Sequence, residues 1–317
     1  MRILGTGSAL PERVVTNDQL TEFLDTSDEW IATRTGIRER HVLSNDRLSD
    51  LAASSSRRAL ENAQIEATDL DMIICSTVQA EAATPALACI VQGEIGASCP
   101  AFDINSGCTG FLVALDMADS FLAAGKAQKI LIVCAEAMTR LCDWTDRSTC
   151  VLFGDGAGAA VVDGAESFDR ISLTTASNTS VLNAYTHAGN SPFAIDPVDF
   201  QPMYMNGQEV YKFAVSQSYA GIRKALENAS VDPQDVQHYL LHQANLRILE
   251  AVRTRLKVEK ERFPHNIDQT GNTSSASIPI LLDALNREGA LKKGEKIVLS
   301  AFGAGLSTGT ALLTWDA

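Results

Sequence analysis

Cys108, His242 and Asn272 are the side chains in this sequence whose types and settings suit nucleophilic catalysis. Cys108 stands in Asn105-Ser106-Gly107-Cys108-Thr109-Gly110-Phe111. A strand-like segment, 100–104, precedes it, and an apolar, helix-like segment, 111–124, follows, with Asp116 and Asp119 its only charges. The spacing puts the sulfur where a helix begins. A helix N-terminus offers unpaired N–H groups and a positive dipole end, and both stabilise a thiolate. Gly107 and Gly110 allow backbone or substrate to come close. The turn is therefore expected to present an easily ionised sulfur. A single cysteine is more often a buried structural residue; the glycine frame and the helix start favour a nucleophile.

His242 ends the apolar run Leu240-Leu241 and leads into Gln243 and Asn245. Taken alone, such a histidine is as often a satisfied core residue as a cleft residue. Asn272 lies in Gly271-Asn272-Thr273-Ser274-Ser275-Ala276, ahead of a second helix-like stretch. Read together with Cys108, the two favour a shared site.

The elements that must position them show an internal repeat. RALENA at 58–63 resembles KALENA at 224–229, an offset of 166 (224 − 58). KILI at 129–132 resembles KIVL at 296–299, an offset of 167 (296 − 129). Two matches near half the chain length argue for a duplicated α/β unit, with halves 1–165 and 166–317. On this reading Cys108 and Asn272 are pseudo-symmetric mates, and His242 joins them where the halves meet. Apolar strands alternating with helices predict mostly parallel sheets covered by helices. Helices are expected over 48–63 and 85–95, and strands over 72–78 and 129–135. Thr26 to Glu29 fits a capping box that opens a helix carrying Trp30. Residues 33–41 read as a basic loop around Gly36. The alternating glycines 154, 156 and 158 read as a structural turn rather than a phosphate cradle, since no G-x-G-x-x-G frame is present.

With 317 residues and 45% hydrophobic content, the chain can bury a large core. No stretch approaches 18 uninterrupted apolar residues, and the sequence opens into strand-like Ile3-Leu4, so neither a membrane span nor a signal peptide is expected. The seven cysteines are odd in number and form no C-x-x-C pair. That argues for a reducing cytoplasm and against a disulfide framework or a metal site. A net charge of −13 disfavours nucleic acid and requires a local basic patch for any acidic partner.

Seven blocks carry a resemblance over essentially the whole chain: TSDEWIATRTGIRERH (26–41), GCTGF (107–111), CDWTDRST (142–149), FGDGAGAA (153–160), HQANLRI (242–248), GNTSSASIP (271–279) and AFGAGLSTG (301–309). Together they resemble the β-ketoacyl-acyl-carrier-protein synthase III family. The resemblance implies a thiolase-like fold, two duplicated α/β halves in a layered αβαβα core, acting as a homodimer. It implies a decarboxylative condensation of an acyl-CoA primer with malonyl-ACP, with acyl carrier protein as partner and no cofactor beyond the substrates. The implied triad is Cys108, His242 and Asn272, and the implied oxyanion donors are the backbone N–H groups of Cys108 and Gly303. The implied coenzyme contacts are Thr26, Trp30, Arg34, Arg147 and Asn245, with Trp30 and Arg147 on either face of the adenine. The implied carrier-protein contacts are Lys212, Arg247, Arg253 and Arg255, with Arg247 foremost. Thr84 is implied to line the end of the acyl pocket across a subunit boundary. Leu87, Phe153, Met205, Tyr211 and Phe302 are the other candidates for that pocket.

Neighbouring activities differ at single residues. A thiolase needs a second cysteine in the last glycine loop, and 303–309 has none. Elongating condensing enzymes carry a second histidine where this chain has Asn272. A papain-type hydrolase shares Cys, His and Asn, but SGCTG lacks its signature. A starter enzyme of a secondary-metabolite pathway would share the triad. An inactive tunnel-forming partner subunit would usually lack the nucleophile. Two departures from the family pattern are Ser148, where glycine is usual, and Thr308, where tryptophan is usual. Both are expected to reshape the substrate pocket.

Overall fold

The computed structural model describes residues 1–165, 168–185 and 201–316. Residue 166, the expected start of the second half, lies outside the described residues. One sheet has the order Arg2–Ala9, Asp155–Asp163, Lys129–Ala137, Met72–Ser76, Ala101–Ile104. A second has the order Phe168–Thr175, Ser307–Thr314, Lys296–Gly303, His238–Leu241. Read in this direction, the first four strands of each agree in order and sense: two antiparallel pairings, then a parallel one. The first sheet adds Ala101–Ile104 as a parallel edge strand.

Both sheets are therefore mixed, where apolar strands alternating with helices predicted mostly parallel ones. The short connection 304–306 joins Lys296–Gly303 to Ser307–Thr314. A connection so short can only return the chain antiparallel; a parallel return needs a crossover of a dozen or more residues.

Each buried strand is apolar on both faces because it has a helical layer on each side. Ile74, Ile130 and Ile132 of one sheet and Leu240, Ile297 and Leu299 of the other pack on the central helices Gly110–Ala123 and Ser277–Arg287. The alternate residues Ile73, Leu131 and Val133 face Leu48–Ala63 and Leu87–Ile95. Tyr239, Leu241 and Val298 face Gly207–Ala229 and Leu246–Leu256. The result is five layers, α-β-α-β-α. The alternating glycines 154–158 do not form the predicted turn; Gly156 and Gly158 lie inside the strand Asp155–Asp163. A Cβ on Gly158 would sit 2.8 Å from the backbone nitrogen of Ile280, so the glycine lets a central helix pack directly on the sheet.

Local starts also differ. The helix carrying Trp30 spans Asp28–Thr35 and is capped by Ser27, which accepts the Trp30 N–H at 3.1 Å. Thr26 is not the cap. The helix expected from residue 85 begins at Leu87, where Asp103 accepts the N–H groups of Leu87 and Ala88 at 2.7 and 2.8 Å. Part of the expected basic loop, Glu39–His41, is a strand paired with Val14–Thr16. Among the described residues no helix is long and apolar enough to cross a membrane.

Candidate active site

The two central helices are each entered through a short 3-10 turn, Gly107–Thr109 and Ser274–Ala276. Two residues ahead of the first residue of each turn, the chain repeats itself. Asn105 Oδ1 accepts the Gly107 N–H at 3.2 Å, and Asn272 Oδ1 accepts the Ser274 N–H at 2.9 Å. Gly107 and Ser274 share a left-handed φ of 52° and 51°. The structural mate of Asn272 is thus Asn105 (272 − 105 = 167), and that of Cys108 is Ser275 (275 − 108 = 167). This corrects the pairing of Cys108 with Asn272. Glycine adopts this φ freely, whereas a residue with a Cβ is strained there, on the order of 1–3 kcal/mol. Ser274 bears that strain, and its Oγ donates to Cys108 Sγ at 3.5 Å.

Cys108, His242, Asn272, Ser274, Phe302 and Gly303 line a cavity of about 920 Å³. Gly303 lies against the nucleophile: a methyl there would sit 2.9 Å from the Cys108 nitrogen and 3.1 Å from its Cβ. The sulfur is not easily ionised at rest. Burial pushes the thiol up to about 12, ionised Glu136 adds to the rise, and the Ser274 hydroxyl and the Cys108 amide oppose it. This overturns the expectation drawn from the helix start, because desolvation of a thiolate outweighs what one helix end returns.

His242 is buried, and burial alone lowers its pKa to about 3, so the ring is neutral at physiological pH. Its Nδ1 lies 2.7 Å from Ser277 Oγ, which also accepts the Gln243 N–H at 3.2 Å. That leaves the Ser277 hydroxyl proton for Nδ1 and puts the imidazole proton on Nε2, where it can be donated. Asn272 is oriented by the Ser274 N–H on its Oδ1, so its Nδ2 is the end available to a ligand. Two neutral donors stand beside a thiol, an arrangement suited to holding a developing oxyanion or enolate.

The same cavity is lined by Trp30, Arg34, Arg147, Ser148, Asn245 and Arg247. The guanidiniums of Arg34 and Arg147 lie over the Trp30 ring at 4.5 and 5.1 Å from its centroid. A purine between Trp30 and Arg147 needs about 7 Å, two contact distances of about 3.5 Å each. Arg147, held by the Asp25 carbonyl and carboxylate, must therefore move for such a sandwich to form. Asn245 caps the helix Leu246–Leu256 and reaches the Arg34 carbonyl at 3.1 Å, tying the two basic segments together. Ser148 is turned onto Asp146 through both N–H and hydroxyl.

Several expected contacts lie elsewhere. Thr26 does not line the cavity; its hydroxyl is buried without a partner. Leu87 is fully buried in the core beneath the first sheet, because the Asp103 cap turns that helix start inward. Thr84 is exposed and lines no part of the cavity within one chain. Phe153, Met205, Tyr211 and Phe302 do line it. Arg253 is committed to Glu250 and to the Val258 carbonyl at its own helix end. Lys212 is paired with Glu209 at 2.8 Å, and Arg255 is exposed away from the cavity. Thr308 bonds Thr174 across two strands at 2.6 Å and does not reach the cavity. Sequence reasoning missed Glu136, Ser274, Ser275 and Ser277. Glu136 had a signal: a lone carboxylate closing the apolar strand Lys129–Ala137.

Gly303→Ala is expected to displace the Cys108 backbone and slow acylation about 100-fold, as small misplacements of reacting atoms do. Single-turnover adduct formation measures this, with a melting curve to report on folding. A wild-type rate would show that the glycine is not needed at the nucleophile.

Family models for 3-oxoacyl-[acyl-carrier-protein (ACP)] synthase III and for its C terminal match residues 102–179 and 226–315. The chain is 45% identical to the beta-ketoacyl-[acyl-carrier-protein] synthase III of Caldanaerobacter subterraneus subsp. tengcongensis, over 99% of this chain and 97% of that one. It superposes on the crystal structure of 3-oxoacyl-[acyl-carrier-protein] synthase III from Aquifex aeolicus VF5 with a TM-score of 0.92, at 40% identity, covering 99% of each chain. The priming beta-ketosynthase from the R1128 polyketide biosynthetic pathway also gives a TM-score of 0.92, at 35% identity, covering 99% of this chain and 96% of that one.

Proposed function

The chain belongs to the 3-oxoacyl-[acyl-carrier-protein] synthase III family and has its thiolase-like fold; from that premise we propose that it is the acyltransferase that starts fatty acid synthesis, joining an acyl-CoA primer to malonyl-ACP. The observation that carries this reading is the convergence of Cys108, His242, Asn272 and Gly303 in one cavity that also bears Trp30 and three arginines. Cys108 attacks the primer thioester, and the tetrahedral oxyanion is met by the Cys108 and Gly303 N–H groups. Coenzyme A leaves. Malonyl-ACP enters, and loss of CO₂ gives an enolate without removal of a C–H proton. His242 Nε2–H and Asn272 Nδ2 hold the enolate oxygen. The carbanion attacks the acyl-Cys108 thioester and releases 3-ketoacyl-ACP. No resident cofactor is needed for any of these steps.

Acyl-CoA binding falls to Trp30, Arg34, Arg147 and Asn245. Arg247 is the foremost contact for acyl carrier protein: it lies on the cavity rim, and its guanidinium has no partner among the described residues. A cytoplasmic homodimer fits this reading. The edge strand Ala101–Ile104 is paired on one side and only half buried, which suits association with a second copy.

Primer choice tests the reading most directly. Thr84 leaves room at the pocket end if a partner subunit presents it there. Each buried methylene contributes about 0.8 kcal/mol, so two extra ones bias choice by more than tenfold. Product analysis with acetyl-, butyryl- and octanoyl-CoA plus malonyl-ACP should show 3-ketoacyl-ACP from all three. Thr84→Phe should selectively lose the longer primers. An unchanged profile, or a wild-type preference for acetyl-CoA, means that Phe153, Met205 or Tyr211 already closes the pocket.

A further inference from the structure

Three serines of the polar run 273–277 each hold a different partner. Ser275 Oγ donates to Glu136 Oε1 at 2.5 Å, and Ser277 Oγ lies 2.7 Å from His242 Nδ1. Ser274 Oγ donates to Cys108 Sγ at 3.5 Å, and among the described residues Ser274 is the one side chain bonded to that sulfur. It also lines the cavity, so the contact stands where substrate arrives. The backbone of Ser274 is strained: its φ of 51° is left-handed, and the matching turn has Gly107 there. A Cβ on Gly107 would meet its nearest neighbour at 3.6 Å, so that glycine answers to φ and not to crowding. Glycine would suit position 274 as well. What serine adds there is its hydroxyl, and the hydroxyl is on the nucleophile.

Resting on the condensing-enzyme reading above, we propose that Ser274 is a further catalytic residue, whose hydroxyl hydrogen-bonds Cys108 Sγ whenever that sulfur carries negative charge. The charge arrives in the condensation. Loss of CO₂ leaves the electron pair of the broken carbon–carbon bond in the enolate. That pair forms the new carbon–carbon bond to the acyl carbon of acyl-Cys108. The tetrahedral intermediate collapses, and the carbon–Sγ bond breaks with its pair on Sγ. No proton moves in these steps, so the charge brought in by the malonyl carboxylate ends on the sulfur, where Ser274 meets it. The thiolate then attacks the next acyl-CoA. The carbon–sulfur bond to coenzyme A breaks with its pair on that sulfur, which takes a proton from water as it departs. The Ser274 proton stays on its own oxygen throughout.

The surroundings give such a donor something to do. Cys108 is half-buried at the cavity wall, and desolvation, with Glu136 adding to it, pushes its thiol up to about 12. The Ser274 hydroxyl and the Cys108 amide are the groups that oppose the rise. The neighbouring hydroxyls are committed elsewhere, Ser275 to Glu136 and Ser277 to His242. His242 lines the same cavity but is neutral, so it brings no positive charge to the sulfur. A hydrogen bond to a charged acceptor is stronger than one to a neutral acceptor. The Ser274 contact therefore strengthens as charge builds on the sulfur, which is the condition for speeding a step rather than merely holding the resting thiol.

The test compares Ser274→Gly and Ser274→Ala with wild type in two reactions at about pH 8, each read by mass on the peptide carrying Cys108. One is alkylation by iodoacetamide, which reports the charge on the sulfur without the oxyanion donors or the coenzyme site. The other is single-turnover acylation by butyryl-CoA. Glycine relieves the φ and alanine keeps it; neither has a hydroxyl, and both keep the N–H that holds Asn272. Both variants should slow roughly 10- to 100-fold in alkylation and acylation alike, the scale of one hydrogen bond to a charged group. Ser274→Gly should melt no lower than wild type, which separates the loss from misfolding. The proposal is overturned if Ser274→Gly matches wild type in alkylation, whatever Ser274→Ala does, since strain and not the hydroxyl is then what matters. It is also overturned if acylation alone falls, because the loss then lies in placing the substrate. A wild type that is alkylated but takes up no acyl group overturns the condensing-enzyme reading, while the alkylation rates still judge the Ser274 donor.

Discussion

Replacing Cys108 by alanine is expected to abolish acyl transfer from acyl-CoA, with no adduct forming elsewhere on the chain. The sulfur is the one nucleophile lining the cavity that is backed by the glycine loop, with Gly303 in contact with its amide. The other cysteines do not line the cavity. Cys75, Cys134, Cys142 and Cys150 are buried, and burial raises the thiol of each. Cys89 is exposed but lies outside the cavity. Loss of a catalytic nucleophile lowers turnover on the order of a millionfold, because the remaining groups act only in concert with it. Intact-protein mass spectrometry after mixing with acetyl-, butyryl- or octanoyl-CoA should show one adduct on wild type and none on Cys108→Ala. An adduct that persists in the variant moves the nucleophile elsewhere.

His242→Ala and Asn272→Ala are expected to separate the two half-reactions. Each variant should still take up the primer on Cys108, since neither side chain bonds the sulfur. Each should fail to release CO₂ from malonyl-ACP at the normal rate. Carbanion formation by loss of CO₂ needs donors at the enolate oxygen rather than a base, and losing one such donor lowers the rate on the order of 100-fold or more. The neutral state of His242 agrees with that role. Its pKa is lowered to about 3 by burial, so the ring is neutral through the usual histidine range. CO₂ release should accordingly show no step near pH 6.5, the usual histidine range. Normal CO₂ release by either variant would remove that residue from the enolate site.

Much of the site could be read before any coordinates. Short blocks around Cys108, His242 and Asn272 were enough to name the three residues together, while the repeat near half the chain length showed the duplication but paired Cys108 with the wrong residue. The chemistry of a glycine-framed cysteine and two neutral donors belongs to residue types, which a sequence displays directly. Helix boundaries were legible to within a residue or two for the same reason: the helix Leu48–Ala63 follows its apolar pattern end to end.

What tertiary structure alone decided was whatever depends on burial and on approach across the chain. A helix start argued for an easily ionised sulfur, but desolvation at the cavity wall, with Glu136 nearby, pushes the half-buried thiol up. Leu87 and Arg253 looked like pocket and surface residues; an Asp103 cap and a Glu250 pair commit them to the core and to a helix end. The glycines at 156 and 158 looked like a turn, yet they exist to admit a helix more than 100 residues further along the chain, at Pro279 and Ile280. Ser274 was an unremarked serine in a polar run until its φ and its distance to Cys108 set it against the nucleophile. Residue types and periodicity are local properties of a chain. Desolvation, strain and a hydrogen bond spanning 166 positions exist only once the two halves have packed together.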